Sequence, residues 1–175
     1  MARWLAPTPV SPNALTVFAC LLMLLTAGVI ASGQARLGGG LIILFGPLDA
    51  LDGRLARLRG HPTRFGAFLD STLDRVADSA LLVALVPLLE PMPSAQGYLL
   101  LAALVLSWLV PYTRARAEGL GLVCGDGVLP REVRLAVLAV GLLLEQIVPA
   151  LAMMVILSSV TVLQRGWLVW RETRA

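Results

Sequence analysis

Five of the chain's six aspartates fall within thirty residues of an otherwise very apolar sequence. A carboxylate inside a lipid-facing helix costs about 2.5–3.5 kcal/mol on insertion scales, so several together require cations, partners or a water-filled cavity. Carboxylate oxygens without a Cys or His pair nearby favour Mg²⁺ or Mn²⁺ over zinc, and Mg²⁺ often takes phosphate oxygens as further ligands. The cluster therefore predicts a divalent-metal site that acts on a phosphate-bearing substrate. Its members are Asp49, Asp52, Asp70, Asp74 and Asp78.

The first part of this cluster has the spacing of one helix face. Asp49 and Asp52 are followed by Gly53, Ala56 and Arg57, at positions i, i+3, i+4, i+7 and i+8. These positions lie on one side of a single α-helix. Two acids, two small residues and one arginine therefore share a stripe.

The second part is a row of residues spaced by four. Gly66, Asp70, Asp74 and Asp78 follow one another at this interval, which places three carboxylates along one side of a second helix with glycine at its entrance. The two stripes can face each other, and the two helices together can then surround metal ions.

The elements that position these residues are predicted to be membrane helices. The chain has 175 residues, of which 58% are hydrophobic and 14% charged, which is too apolar for a soluble domain of this size. Crossing a bilayer takes about 20 residues. We therefore expect an all-α fold, a bundle of six transmembrane helices in one domain over residues 1–175, after a short N-terminal interfacial segment. The predicted spans are roughly 13–32, 37–58, 66–89, 97–117, 131–148 and 149–170.

The charged residues predict the orientation of this bundle. The chain has fourteen arginines and no lysine, and all but Arg36 fall beside the termini and the turns after spans two and four. By the positive-inside rule, both termini and the aspartate cluster lie at the cytoplasmic face of what we expect to be a prokaryotic plasma membrane. Cys20 lies mid-span and Cys124 in a loop, so no disulfide is expected.

The residues described above resemble a known family. The pattern Asp49-x2-Asp52-Gly53-x2-Ala56-Arg57-x8-Gly66-x3-Asp70-x3-Asp74 is similar, at every fixed position, to the signature of the CDP-alcohol phosphotransferases. The resemblance implies transfer of a phosphatidyl group from CDP-diacylglycerol to an alcohol, with release of CMP. It also implies a homodimer in the membrane, and no nucleic-acid partner is expected.

The same resemblance assigns roles to individual residues. Two divalent ions, Mg²⁺ or Mn²⁺, would be held by four of the aspartates, and Asp74 would also take the proton of the attacking hydroxyl. The CDP moiety would contact a glycine, an alanine and an arginine of the first stripe. The implied metal ligands are Asp49, Asp52, Asp70 and Asp74, and the implied CDP contacts are Gly53, Ala56 and Arg57.

A second resemblance concerns the acceptor alcohol. The segment 112–121, the Gly125-Asp126-Gly127 turn and the segment 131–135 are similar to prokaryotic phosphatidylinositol-phosphate synthases, which use inositol 1-phosphate. Basic residues that bind the acceptor phosphate in that group correspond to Arg114, Arg134 and Arg165. A water-soluble phosphorylated polyol is therefore the expected acceptor, and glycerol 3-phosphate would suit three arginines equally.

Other interpretations of the same residues exist. The acids could serve an ion or proton transporter, or form ion pairs with nearby arginines in a scaffold without activity. The three arginines could be positive-inside charges that reach lipid headgroups. Asp78 extends the acidic row but lies outside the signature, so its role is open. Arg116 and Glu118 are expected to pair with each other or to cap a helix end, and Ser11 or Asn13 to cap span one.

Overall fold

The structure is a computed structural model that describes residues 11–58, 63–122 and 130–174, with the backbone alone described for 49–58. Within these ranges the regular structure is helical and no strand is present, which confirms the all-α class. The α-helices are α1 Pro12–Ala31, α2 Ala35–Leu58, α3 Arg64–Val83, α4 Ala95–Glu118, α5 Arg131–Leu143 and α6 Ile147–Glu172, with a short 3-10 turn at Val86–Leu88.

The chain divides into two compact units, Met1–Leu88 and Leu89–Ala175. In the first unit, α1 packs against both α2 and α3. Its core includes the fully buried side chains of Ile30 and Leu81. A Cβ atom on Gly38 would collide with the Ile30 side chain, so glycine allows α2 to approach α1 closely.

In the second unit, α6 packs against both α4 and α5. The turn between α5 and α6 is tight, because a Cβ atom on Gly141 would collide with Ala150. Glu145 in this turn has a φ of 55°, an uncommon conformation for a residue other than glycine. Helix α4 continues through Pro111 as one element, so the proline does not divide it.

Side-chain caps explain where three helices begin. Ser11 Oγ accepts the Ala14 N–H at 3.1 Å and begins α1, which settles the choice between Ser11 and Asn13. Thr63 and Ser94 cap α3 and α4 in the same way. Each cap satisfies a backbone N–H that has no partner inside the helix. The predicted interfacial segment before Ser11 lies outside the described residues.

Three of the described helices are long and apolar enough to cross a membrane, namely Pro12–Ala31, Ala95–Glu118 and Ile147–Glu172. Helix α2 is apolar over Ala35–Leu48, the part of it whose side chains the structure describes. Helix α5 has 13 residues and is therefore about 20 Å long, shorter than the hydrocarbon core of about 30 Å. The membrane class is confirmed, and the count of six complete spans stays a prediction.

Candidate active site

Helix α3 carries the row of three carboxylates. Asp70, Asp74 and Asp78 lie on consecutive turns, and each is half-buried. Phe68 and Val76, on another side of the helix, are exposed. The acidic side of α3 is therefore more enclosed than its apolar side, which is the arrangement of a membrane helix that keeps its charges away from lipid.

The side chain of Asp74 lies next to Arg75. It is 15% exposed, and its Oδ2 lies 3.5 Å from Arg75 Nη1. That nitrogen donates a much shorter hydrogen bond, 2.6 Å, to the Ser71 carbonyl. Because 3.5 Å is at the outer limit for a hydrogen bond, Arg75 neutralises the Asp74 carboxylate only weakly. A tight Arg75–Asp74 ion pair is thus not what holds the row.

Helix α1 supports α3 next to this carboxylate. The buried thiol of Cys20 donates to the Leu73 carbonyl, with an Sγ–O distance of 3.7 Å. Leu73 directly precedes Asp74 in the chain. This weak contact joins α1 to α3 at the residue before Asp74.

The entrance of α3 is built around Gly66. The Gly66 N–H donates to Thr63 Oγ1 at 2.9 Å. A Cβ atom on Gly66 would lie 2.9 Å from Thr63 Oγ1 and 3.1 Å from Asn13 Oδ1. Glycine therefore lets the start of α1 approach the start of α3. The sequence analysis considered Asn13 only as a cap, and its place beside a signature residue emerges from the packing of the two helices.

The first stripe lies on helical backbone. Helix α2 includes every position from Asp49 to Arg57, so the i, i+3, i+4, i+7, i+8 register holds. The side chains of Asp49, Asp52, Gly53, Ala56 and Arg57 are outside the described part, as are their distances to α3. Whether the two stripes face each other therefore stays a prediction.

A divalent metal fits the donors that α3 supplies. Asp70 and Asp74 are half-buried carboxylates one turn apart, and carboxylate oxygens are the ligands that Mg²⁺ and Mn²⁺ prefer. Among the side chains that the structure describes, no three Cys, His, Asp or Glu residues come together as a complete metal site. Two of the four predicted ligands, Asp49 and Asp52, lie outside that set.

Two of the three candidate acceptor arginines are buried. Arg134 is 6% exposed and Arg165 is 8% exposed. Arg165 Nη1 donates to the Val110 carbonyl on α4, and Arg165 Nε is buried without a hydrogen-bond acceptor among the described residues. A buried guanidinium is costly unless it is paired. Arg165 therefore has the properties of a group that binds an anion.

Arg114 lies one turn after Val110 on the same helix, so α4 brings Arg165 and Arg114 to neighbouring turns. Arg114 is exposed, and its Nε donates to Glu118 Oε1 at 2.9 Å. The expected pairing of Arg116 with Glu118 is not what the structure shows, because residues two apart do not face each other on a helix, whereas residues four apart do.

The geometry of the two units can be compared with known proteins. Residues 9–168 match the family model described as CDP-alcohol phosphatidyltransferase. The chain belongs to this family. The match extends through most of both units and confirms the family resemblance.

Similar proteins are found in archaea and bacteria. The chain is 35% identical over 154 residues to the archaetidylinositol phosphate synthase of Methanothermobacter thermautotrophicus, covering 82% of this chain and 75% of that one. It is 37% identical over 139 residues to the phosphatidylinositol phosphate synthase of Mycobacteroides abscessus, covering 75% of this chain and 61% of that one.

The fold is similar to that of a solved membrane enzyme. The crystal structure of Mycobacterium tuberculosis phosphatidylinositol phosphate synthase with CDP-DAG bound matches with a TM-score of 0.86 and 29% identity, over 97% of this chain and 91% of that one. A second crystal structure of the same enzyme, in complex with manganese and citrate, matches with the same TM-score of 0.86. This chain is therefore an integral membrane transferase of the CDP-alcohol phosphatidyltransferase family.

Proposed function

We propose that the protein transfers a phosphatidyl group from CDP-diacylglycerol to inositol 1-phosphate, which gives phosphatidylinositol phosphate and CMP. The observation that carries this proposal is the half-buried carboxylate row of α3 in a chain that also buries two arginines. The similarity to enzymes named for inositol phosphate products supports the choice of acceptor.

The donor site is proposed for the first unit. Asp49, Asp52, Asp70 and Asp74 would hold two divalent ions, Mg²⁺ or Mn²⁺. When bound, these ions would neutralise the diphosphate and stabilise the charge of the departing CMP. The manganese complex of the tuberculosis enzyme supports the use of a divalent cation.

The remaining residues of the first stripe would bind the nucleotide. Gly53 and Ala56 have little or no side chain, which lets CDP lie close to α2, and Arg57 can pair with a phosphate. Gly66 would act indirectly, by letting Thr63 and Asn13 pack at the entrance of α3, where a Cβ atom would meet their oxygens.

Asp74 is the proposed general base. Its carboxylate would accept the proton of the acceptor hydroxyl as the hydroxyl oxygen bonds to the phosphorus of the phosphatidyl group. The bond from that phosphorus to the bridging oxygen of CDP then breaks, and CMP leaves with the electron pair. Its side chain is 15% exposed, so a hydroxyl brought by the acceptor can reach it.

The acceptor site is proposed for the second unit. Arg114, Arg134 and Arg165 would bind the phosphate of inositol 1-phosphate. The buried Nε of Arg165 supports this assignment, because an arginine can offer several N–H donors to one phosphate. The Arg114–Glu118 pair is exposed, and such a pair contributes about 0.3–0.5 kcal/mol, so Arg114 can exchange it for a phosphate.

The cellular setting is part of the proposal. The distribution of the fourteen arginines supports an active site and both termini on the cytoplasmic side of a prokaryotic plasma membrane. A homodimer is proposed from the family resemblance. One metal site at this face could meet a water-soluble acceptor and a membrane-embedded donor.

The test is CMP release by the purified protein with CDP-diacylglycerol and Mg²⁺. Inositol 1-phosphate, free inositol, glycerol 3-phosphate and serine are compared as acceptors. Release stimulated by inositol 1-phosphate alone is the expected result. A preference for glycerol 3-phosphate would keep the reaction and reject the acceptor. No release with any acceptor would reject the proposal and favour an ion or proton transporter, for which Asp74→Asn should abolish ion flux in liposomes free of CDP-lipid.

A further inference from the structure

The outer face of α6 changes from apolar to aromatic along its length. Ile156, Val160 and Leu163 are exposed, and Trp167 and Trp170 continue the same stripe at helical spacing and are also exposed. Aliphatic residues suit the hydrocarbon core of a bilayer, and tryptophan is enriched at its interfaces. The polarity of this stripe therefore follows a bilayer from its interior towards its surface.

Two arginines complete the stripe. The guanidinium carbon of Arg171 lies 5.7 Å from the Trp167 ring centroid, and that of Arg174 lies 4.3 Å from the Trp170 ring centroid. Each arginine follows its tryptophan by four residues, and the second pair is the closer of the two. A cation over a tryptophan ring is attracted to its face.

Stacking prepares these guanidinium groups for an anion. A stacked guanidinium contacts the ring with its face, while its N–H groups lie in its plane and can donate to phosphate oxygens. Arg171 lies in the last turn of α6, and Arg174 follows three residues later, just beyond the end of the helix. Even with Glu172 between them, the segment keeps a net positive charge.

The length of α6 places this segment near the membrane surface. The helix has 26 residues and is therefore about 39 Å long, whereas the hydrocarbon core is about 30 Å thick. A core of this thickness takes about 20 of these residues, so the last turns of α6 can reach the depth of the lipid headgroups. There the phosphates of anionic lipids are the complementary charges.

We propose that the C-terminal end of α6 is a binding site for an anionic glycerophospholipid of the bilayer. Arg171 and Arg174, held by Trp167 and Trp170, bind the headgroup phosphate, and the lipid's acyl chains lie along the apolar stripe. Arg165 belongs to the buried side of α6 and is about half a turn away from Trp167 around the helix. The lipid site therefore does not depend on the proposed function.

The experiment measures which lipids the purified protein retains, with phosphatidylglycerol and phosphatidylcholine as the probes and native mass spectrometry as the readout. Each arginine near an anionic surface contributes about 1 kcal/mol. Two such contributions add up to about 2 kcal/mol, so we expect the wild-type protein to prefer phosphatidylglycerol by roughly 30-fold. The Arg171→Gln/Arg174→Gln variant should lose most of this preference while it keeps its CMP release in detergent.

Two further variants separate a built site from diffuse charge. Trp167→Leu/Trp170→Leu keeps both charges and the apolar surface but removes the stacking, and it should lose several-fold in preference. Arg116→Gln removes an exposed arginine of α4 and should change nothing. The proposal is overturned if the double arginine variant keeps its preference, if the tryptophan variant is unchanged, or if Arg116→Gln has an equal effect.

Discussion

The two units of the chain carry opposite chemistry. In the first unit, Met1–Leu88, every acidic residue is an aspartate of the cluster; in the second, Leu89–Ala175, the buried charged residues among those described are Arg134 and Arg165. The acids of α3 are half-buried, whereas these arginines are more than nine-tenths buried. A carboxylate that exchanges hydrated ions needs access to water, and an arginine that binds a phosphate gains from exclusion of water.

Both substrates are anions, and this difference means that the two proposed sites bind them in different ways. The proposed donor site meets a diphosphate through cations, so it presents carboxylates to them. The proposed acceptor site meets a phosphate directly and presents arginines. Substitutions in the first unit should therefore change turnover and the KM for the donor, and substitutions in the second should change the KM for the acceptor.

Removal of divalent metal should have the largest effect and should act through the first unit. We expect a chelator to abolish CMP release, because the diphosphate would then lie among uncompensated carboxylates. Added Mg²⁺ or Mn²⁺ should restore release. The measurement is CMP release before and after dialysis, and activity that resists the chelator would reject a metal site built from the aspartates.

Asp74→Asn should lower turnover by about 10³-fold, within the range of a lost general base. The amide has nearly the same shape but cannot accept the proton. Binding of CDP-diacylglycerol, measured by equilibrium titration with metal present, should be retained. Asp78→Asn is the matched control, one turn further along the same half-buried row; turnover that survives Asp74→Asn would remove Asp74 as the base.

Gly66→Ala should raise the KM for CDP-diacylglycerol by about tenfold, with little change in the KM for the acceptor. The new methyl group would lie 2.9 Å from Thr63 Oγ1 and 3.1 Å from Asn13 Oδ1, and displacement of packed groups costs about 1–3 kcal/mol. Gly40→Ala is the control, because a Cβ atom there meets nothing within 4 Å. Equal effects of the two variants would contradict the close approach at Gly66.

Glu118→Gln should have the smallest effect, less than threefold on either KM. The Arg114–Glu118 pair is about half exposed on both sides, and such a pair contributes about 0.3–0.5 kcal/mol. Steady-state CMP release checks this. An increase of tenfold or more in the acceptor KM would show that Glu118 positions Arg114 for the phosphate. It would contradict a weak Arg114–Glu118 pair.

Local sequence signals predicted where helices begin better than where they end. The α1 start follows from Ser11 and Pro12, and the α3 row from its spacing of four. The fifth span, predicted over 131–148, ends at Leu143, because Glu145 turns the chain and Gly141 packs against Ala150. Because most residues around this turn are apolar, hydropathy does not reveal it.

The third span, predicted over 66–89, ends as an α-helix at Val83. Pro87 lies in the 3-10 turn that follows, and proline cannot continue an α-helix ladder. In the candidate site, residue types and spacing predicted the α3 carboxylates, but they could not predict tertiary contacts. The Asn13–Gly66 approach and the Arg165–Val110 hydrogen bond depend on how helices far apart in sequence pack.

The most direct test of the division between the units is to measure both substrate KM values in Arg165→Gln. Glutamine removes the charge that binds the phosphate and, because it is shorter than arginine, also removes the Nη1 hydrogen bond to the Val110 carbonyl. We expect the KM for inositol 1-phosphate to rise about 10–100-fold, as for loss of a charged hydrogen bond, while the KM for CDP-diacylglycerol stays within twofold and shows an intact fold. An unchanged acceptor KM, or an equal rise in both values, would contradict an acceptor site built on the buried arginines of the second unit.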